Sequence, residues 1–311
     1  METEFSKILV CLEMIRTDAD VIGAAGRMAD LTHAKEVVFA YVYPSTDIPD
    51  EMLVQYENLA PDVDELRAEM EAKVKQYYSG KKDAGLRFEI HTGNAVREFA
   101  YLAASEDIDL IIAAQPASGA GQSHDGSRIA RRLAYKSHCS MLTVPEKGEV
   151  KLERVLVPVR NSECSRRALQ TAIDLACAAC ESPEVFTHYV YPVSPGYARV
   201  GLSYQEFATA LRDYAEREYA ALMNTIHPRA ARVTPIITDD PEDDPSKLIL
   251  EAVNERGADA VAIGSRGRTG MAGIILGHVT ETLIASSPVP VFQVKQKGEN
   301  VGLLQALGIV M

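Results

Sequence analysis

No stretch of this sequence approaches the ~20 consecutive apolar residues that a membrane-spanning helix requires, although 47% of its 311 residues are hydrophobic. A basic leader is missing too. The start, Met1-Glu-Thr-Glu-Phe-Ser-Lys7, puts acids where a secretory n-region is basic and runs straight into an apolar strand pattern. Both absences lead to the expectation of a soluble, cytoplasmic protein. Basic charge is in deficit, with 32 Lys+Arg against 44 Asp+Glu and a net charge of -12. Phosphate neutralisation along a duplex needs a basic face, so no nucleic-acid partner is expected.

A disulfide framework is also absent. Five cysteines (Cys11, Cys139, Cys164, Cys177, Cys180) are an odd number and fit reduced thiols. Cys177-Ala-Ala-Cys180 has redox or zinc spacing, but no second such pair or neighbouring His pair accompanies it, and Leu175 to Cys180 reads as small residues on a buried helix. The seven histidines are scattered. Asp239-Asp-Pro-Glu-Asp-Asp244 could hold Mg2+ or Ca2+, but its full charge and two prolines nearby read as a solvated loop, so no resident metal is expected.

What the chain does have is a second copy of itself. Lys7-Ile-Leu-Val-Cys-Leu-Glu13 is answered by Arg154-Val-Leu-Val-Pro-Val-Arg160 at an offset of 147 residues. Glu36-Val-Val-Phe-Ala-Tyr-Val-Tyr-Pro44 is answered at an offset of 148 by Glu184-Val-Phe-Thr-His-Tyr-Val-Tyr-Pro192. Asp109-Leu-Ile-Ile-Ala113 and Ser140-Met-Leu-Thr-Val-Pro145 recur at an offset of 150, from Asp259 and from Pro290. Segments with helical spacing lie between these runs: Ala19 to Leu31, Asp62 to Tyr78, Ser165 to Ala178 and Tyr204 to Met223. Short apolar strands without polar alternation, separated by helices, predict an α/β fold whose mostly parallel sheet is covered on both faces. The charged connector Lys147-Gly-Glu-Val-Lys-Leu-Glu153 sets the expected domains at residues 1–148 and 149–297, followed by an apolar tail at 298–311. The long loops Pro44 to Pro61 and Pro192 to Gly201 read as surface excursions rather than lids.

In an open parallel sheet, ligands bind beyond the carboxyl ends of the strands where strand order reverses. After Val261-Ala-Ile263 comes Gly264-Ser-Arg-Gly-Arg-Thr-Gly-Met-Ala-Gly-Ile-Ile-Leu-Gly-His-Val-Thr-Glu281, with glycines at 264, 267, 270, 273 and 277. Glycines let backbone N–H groups close on an anion, and a helix starting near Gly277 would aim its positive end at the same place. Arg266, Arg268 and His278 add local positive charge. The spacing is neither a Walker loop nor the Gly-x-Gly-x-x-Gly dinucleotide fingerprint.

Gly264-x2-Gly267-x9-Gly277 after a fourth strand resembles the nucleotide loop of universal stress proteins. Val155-Leu-Val-Pro-Val159, Asn161 to Leu169 and Ser287-Pro-Val-Pro-Val-Phe-Gln-Val294 extend that resemblance over the whole second half. It implies two doubly wound, Rossmann-like or flavodoxin-like five-stranded sheets in the order 3-2-1-4-5, one per repeat, packed as an intrachain pseudo-dimer through their fifth strands. It also implies an ATP-like adenine nucleotide, with Mg2+ only alongside it. Carried over, Pro158, Val159 and Arg160 would flank adenine and ribose, and Gly264, Gly267, Gly277, His278, Val279 and Thr280 would line the phosphates.

Two positions depart from the family pattern: Arg160, where Asp is common, and His278, where Ser or Thr is usual. A carboxylate accepts hydrogen bonds from ribose hydroxyls, whereas guanidinium only donates. Arg160 therefore leaves three readings open: a lapsed site, a repositioned phosphate ligand, or a site for a nucleotide with an extra phosphate near the ribose. His278 is equally open between helix-start solvation and a phosphate contact. The first half keeps a carboxylate, Glu13, but its stretch Ala113 to Ser127 lacks two glycines at the required spacing, and Pro116 donates no N–H. Whether Gly126 or Ser127 answers to Gly277 is unresolved by one residue. The first half is expected to bind no nucleotide, and the tail to dock on its own chain or in a homodimer. The expected function is stress-response regulation through nucleotide and an unidentified protein partner. The alternatives are a nucleotide-free scaffold and a weak ATP hydrolase, the latter without a catalytic residue to name, since Glu281 reads as a solvated helix position.

Overall fold

The computed structural model describes residues 5–44, 62–81, 83–115, 126–193, 201, 203–265 and 277–298. The first repeat runs β1 (Lys7–Leu12), α1 (Asp18–Thr32), β2 (Glu36–Pro44), α2 (Val63–Tyr77), β3 (Gly85–Gly93), α3 (Ala95–Ser105), β4 (Leu110–Ala114), α4 (Gly126–Lys136) and β5 (Ser140–Val144). The second runs β6 (Arg154–Pro158), α5 (Glu163–Ala179), β7 (Glu184–Pro192), α6 (Tyr204–Met223), β8 (Arg232–Asp240), α7 (Pro245–Arg256), β9 (Ala260–Gly264), α8 (His278–Ser286) and β10 (Val291–Val294). Both repeats have the expected strand order, β3-β2-β1-β4-β5 and β8-β7-β6-β9-β10.

The central strands show why this order is stable. Ile8, Leu9 and Val10 in β1 and Leu156 and Val157 in β6 have no exposed surface, so side chains on both faces are covered. That burial is the reason these strands lack polar alternation. Each first strand is held parallel between two others, with Ile8 facing both Val37 and Leu110, and Leu156 facing both Phe186 and Val261. A carboxylate repeats with the fold. Asp109 accepts from the Ser6 and Lys7 amides at 2.9 Å, and Asp259 accepts from the Glu153 and Arg154 amides at 3.0 Å. In each repeat an acid before the fourth strand thus fixes the start of the first.

Helix starts follow local chemistry. Asp62 caps α2 through the Asp64 and Glu65 amides, Asn94 caps α3, and Ser162 caps α5 through the Ser165 amide. The Ser162 cap starts α5 at Glu163, ahead of the apolar periodicity that marks Ser165 in the sequence.

Two compact units result. One holds the first repeat through Cys139, Val144–Lys147 and Lys297; the other holds Ser140–Thr143 and Gly148–Gln296. Ser140–Thr143 belongs with the second unit because it pairs antiparallel with β10, Thr143 facing Val291 and Met141 facing Gln293. The Ser140 hydroxyl reinforces this pairing by accepting from the Lys295 amide at 3.1 Å. The expected pairing of fifth strands is therefore made within one chain, and the second unit carries one strand segment more than its own repeat encodes. Among the described residues no helix is long and apolar enough to cross a membrane.

Candidate functional site

The carboxyl ends of β6 and β9 and the starts of α5 and α8 meet at one place in the second unit. Gly264 is the hinge of this arrangement. A Cβ added there would lie 2.8 Å from the Cys164 carbonyl oxygen and 2.9 Å from the Cys164 Cβ, closer than real side chains approach. Glycine at 264 is thus demanded by the first turn of α5 passing over the end of β9, a packing reason independent of any anion. On the other side, the buried Thr280 hydroxyl donates to the Gly264 carbonyl at 3.3 Å, tying α8 to the same strand end.

Gly277 is the N-cap residue of α8, in an extended conformation and without a side-chain cap. Its carbonyl accepts from the Glu281 amide at 3.0 Å, so the helix begins here. With no hydroxyl or carboxylate on the cap residue, no cap side chain takes the first-turn N–H groups among the described residues. His278 is exposed and Val279 half-buried. Arg266, Gly267 and Arg268 lie outside the described residues.

At the end of β6, Pro158 is half-buried and Val159 buried, its amide donating to the His188 carbonyl at 2.9 Å. The Arg160 backbone is clamped: its amide donates to the Ser165 hydroxyl at 3.0 Å, and its carbonyl accepts from the Ser162 amide at 2.8 Å. Its guanidinium lies over the Tyr189 ring, 4.9 Å from the centroid, a cation–π contact with a buried partner on the adjacent strand. The sequence showed Tyr189 only as a match to Tyr41. Its role as the surface on which Arg160 rests depends on β6 and β7 being neighbours.

Two buried polar groups of the second unit, one of them bonded to Val159, are not signalled by the sequence. His188 is buried in β7, with Nε2 3.1 Å from the Thr238 hydroxyl. Burial, with a smaller push from the Arg256 charge, holds its pKa down at about 4, so the imidazole is neutral near pH 7. Ser246, at the start of α7, is buried with no hydrogen-bond partner for its hydroxyl among the described residues.

Helix-end bonds set the register between the far ends of the two repeats' last helices. The Ser137 amide donates to the Leu133 carbonyl and the Ser287 amide to that of Leu283; Gln115 donates to Val144 and Ser265 to Val294. Each pair is offset by 150, a register that sets Ser127 opposite Gly277, although α4 already includes Gly126 whereas α8 begins at His278. On the same register Ile129 answers to Val279 and Arg132 to Thr282.

Comparison with known proteins identifies the family and the fold. The model of the universal stress protein family matches twice, over residues 4–145 and 151–295. Universal stress protein MJ0531 of Methanocaldococcus jannaschii is 29% identical over 150 residues, covering 48% of this chain and 85% of that protein. In overall fold the chain is similar to a universal stress protein from Archaeoglobus fulgidus, with a TM-score of 0.60 at 19% identity over 95% of this chain and 99% of that one. A universal stress protein from Pseudomonas aeruginosa gives the same TM-score at 15% identity over 97% of both chains. With both halves matched, the chain belongs to the universal stress protein family as a tandem, two-domain member.

Proposed function

We propose that this chain is a stress-response regulatory protein that binds one adenine nucleotide, ATP or a close relative, through its second repeat. The observation that carries the reading is the junction of β9 and α8. Thr280 anchors the helix to Gly264 while Gly277 leaves the helix start uncapped, and the glycine spacing between them is that of the family's nucleotide loop. Uncapped N–H groups and the helix dipole suit a phosphate chain. Mg2+ would enter only as the counter-ion of those phosphates. The fit is incomplete at the ribose end, where Arg160 supplies donors in place of a carboxylate acceptor.

Binding of ATP to the full chain by calorimetry, with and without Gly277→Asp, tests this reading. Aspartate is a good N-cap residue, so the variant keeps α8 while placing a negative charge where phosphate would sit. Affinity lost by about tenfold or more supports the reading; unchanged affinity removes it. A second reading, a nucleotide-free scaffold acting through its surfaces, is favoured by the Arg160 guanidinium resting on Tyr189. A preparation that carries no co-purifying nucleotide and takes up no ATP selects it. Phosphate release that tracks the protein and disappears in Gly277→Asp would select the weak hydrolase instead.

A further inference from the structure

A cavity of about 380 Å3 opens in the first unit at the carboxyl ends of β1, β2 and β3. Small-molecule sites fall in the range of roughly 300–1,000 Å3. Its lining includes the apolar Leu12, Phe99 and Ile129, the aromatic Tyr41 and two side chains of opposite charge, Glu13 and Arg132. The backbone that presents Glu13 is fixed from behind. The buried Asp18 carboxylate accepts from the Glu13 and Ile15 amides, both at 3.1 Å, and Lys73 Nζ lies 3.6 Å from it. Asn94, also in the lining, already spends its side-chain oxygen on the Arg97 amide at 3.1 Å.

The second repeat keeps neither charge. Arg160 stands where the first has Glu13, the neutral Thr282 stands where it has Arg132, and Arg160 covers Tyr189. The pairing of an acid with a base around this tyrosine is therefore particular to the first repeat. A purely anionic ligand there would meet the Glu13 carboxylate, and a purely cationic one the Arg132 guanidinium. The stretch after β4 lacks the spaced glycines of a phosphate cradle.

We propose that this cavity binds a small zwitterion with an apolar side chain, of the amino-acid class. Its carboxylate would face Arg132, its ammonium Glu13, and its apolar body would cover Leu12, Phe99 and Ile129. The site is separate from the nucleotide reading of the second repeat.

Calorimetry on the full chain with L-leucine and L-phenylalanine tests the proposal, alongside isocaproate and isoamylamine, which keep the leucine skeleton but carry one charge each. One site per chain is expected. Glu13→Gln, Arg132→Gln and each single-charge analogue should weaken binding by about tenfold or more, while Gly277→Asp leaves it unchanged. Thermal unfolding of both cavity variants confirms that they remain folded. Absence of binding by both amino acids at millimolar concentration, or wild-type affinity in both cavity variants, would overturn the proposal without touching ATP binding.

Discussion

Gly264 illustrates how a residue that reads as a ligand contact can have a structural reason first. Its missing Cβ admits the Cys164 backbone, so Gly264→Ala should destabilise the protein by about 1–3 kcal/mol through overpacking, measured by urea unfolding. His188 makes a different prediction. Its pKa is about 4 in the fold against an ordinary 6.5, so the folded protein disfavours the charged form. Stability is then complete above the ordinary value and falls as pH drops from there towards the folded value. Between pH 7 and pH 5 the loss from this one group is about 2 kcal/mol. His188→Gln should show a shallower loss over that interval, and equal slopes would contradict the assignment. The glycines, the retained Glu13 and the substituted Arg160 were legible in the sequence because each is a residue type. The Arg160–Tyr189 contact, the depressed His188 and the Asp18 clamp were not, because each is made by groups that only the folded chain brings together.

At the scale of elements, strands and helices were the most legible part of the chain. Burial on both sheet faces forces continuous apolar runs, and duplication showed each run twice. Boundaries were less so, since a cap residue rather than the apolar pattern decides where a helix begins, as Ser162 does for α5. The register of the first repeat's lost loop depended on backbone bonds at the far end of α4, which no residue type announces. The long α6 carries a full capping box, Ser203 accepting from the Glu206 amide while the Glu206 carboxylate accepts from Ser203. Those bonds hold the Glu206 carboxyl below its ordinary pKa. Ser203→Ala should cost about 1 kcal/mol in urea unfolding, and a change below a few tenths would mean that packing of α6 already fixes its start.

For the whole molecule, duplication followed by divergence explains both the fold and the inequality of its halves. The two repeats keep the strand order, the paired acids Asp109 and Asp259, and the tyrosines at 41 and 189. They differ in what surrounds those tyrosines: a cavity with Glu13 and Arg132 in the first, an Arg160 guanidinium stacked on the ring in the second. Met141 to Thr143 pair with β10, so a strand encoded by the first repeat completes the unit built from the second. This gives a degenerate first repeat a structural reason to persist whatever it binds. Two-copy architecture was evident in the sequence, whereas the assignment of Ser140–Thr143 to the second unit follows from an antiparallel pairing that residue patterns leave unspecified. The unequal halves make stoichiometry the decisive quantity. Native mass spectrometry of the full chain titrated with ATP should show one nucleotide per chain, lost in Gly277→Asp; two bound per chain, or none, would contradict a single nucleotide site in the second repeat.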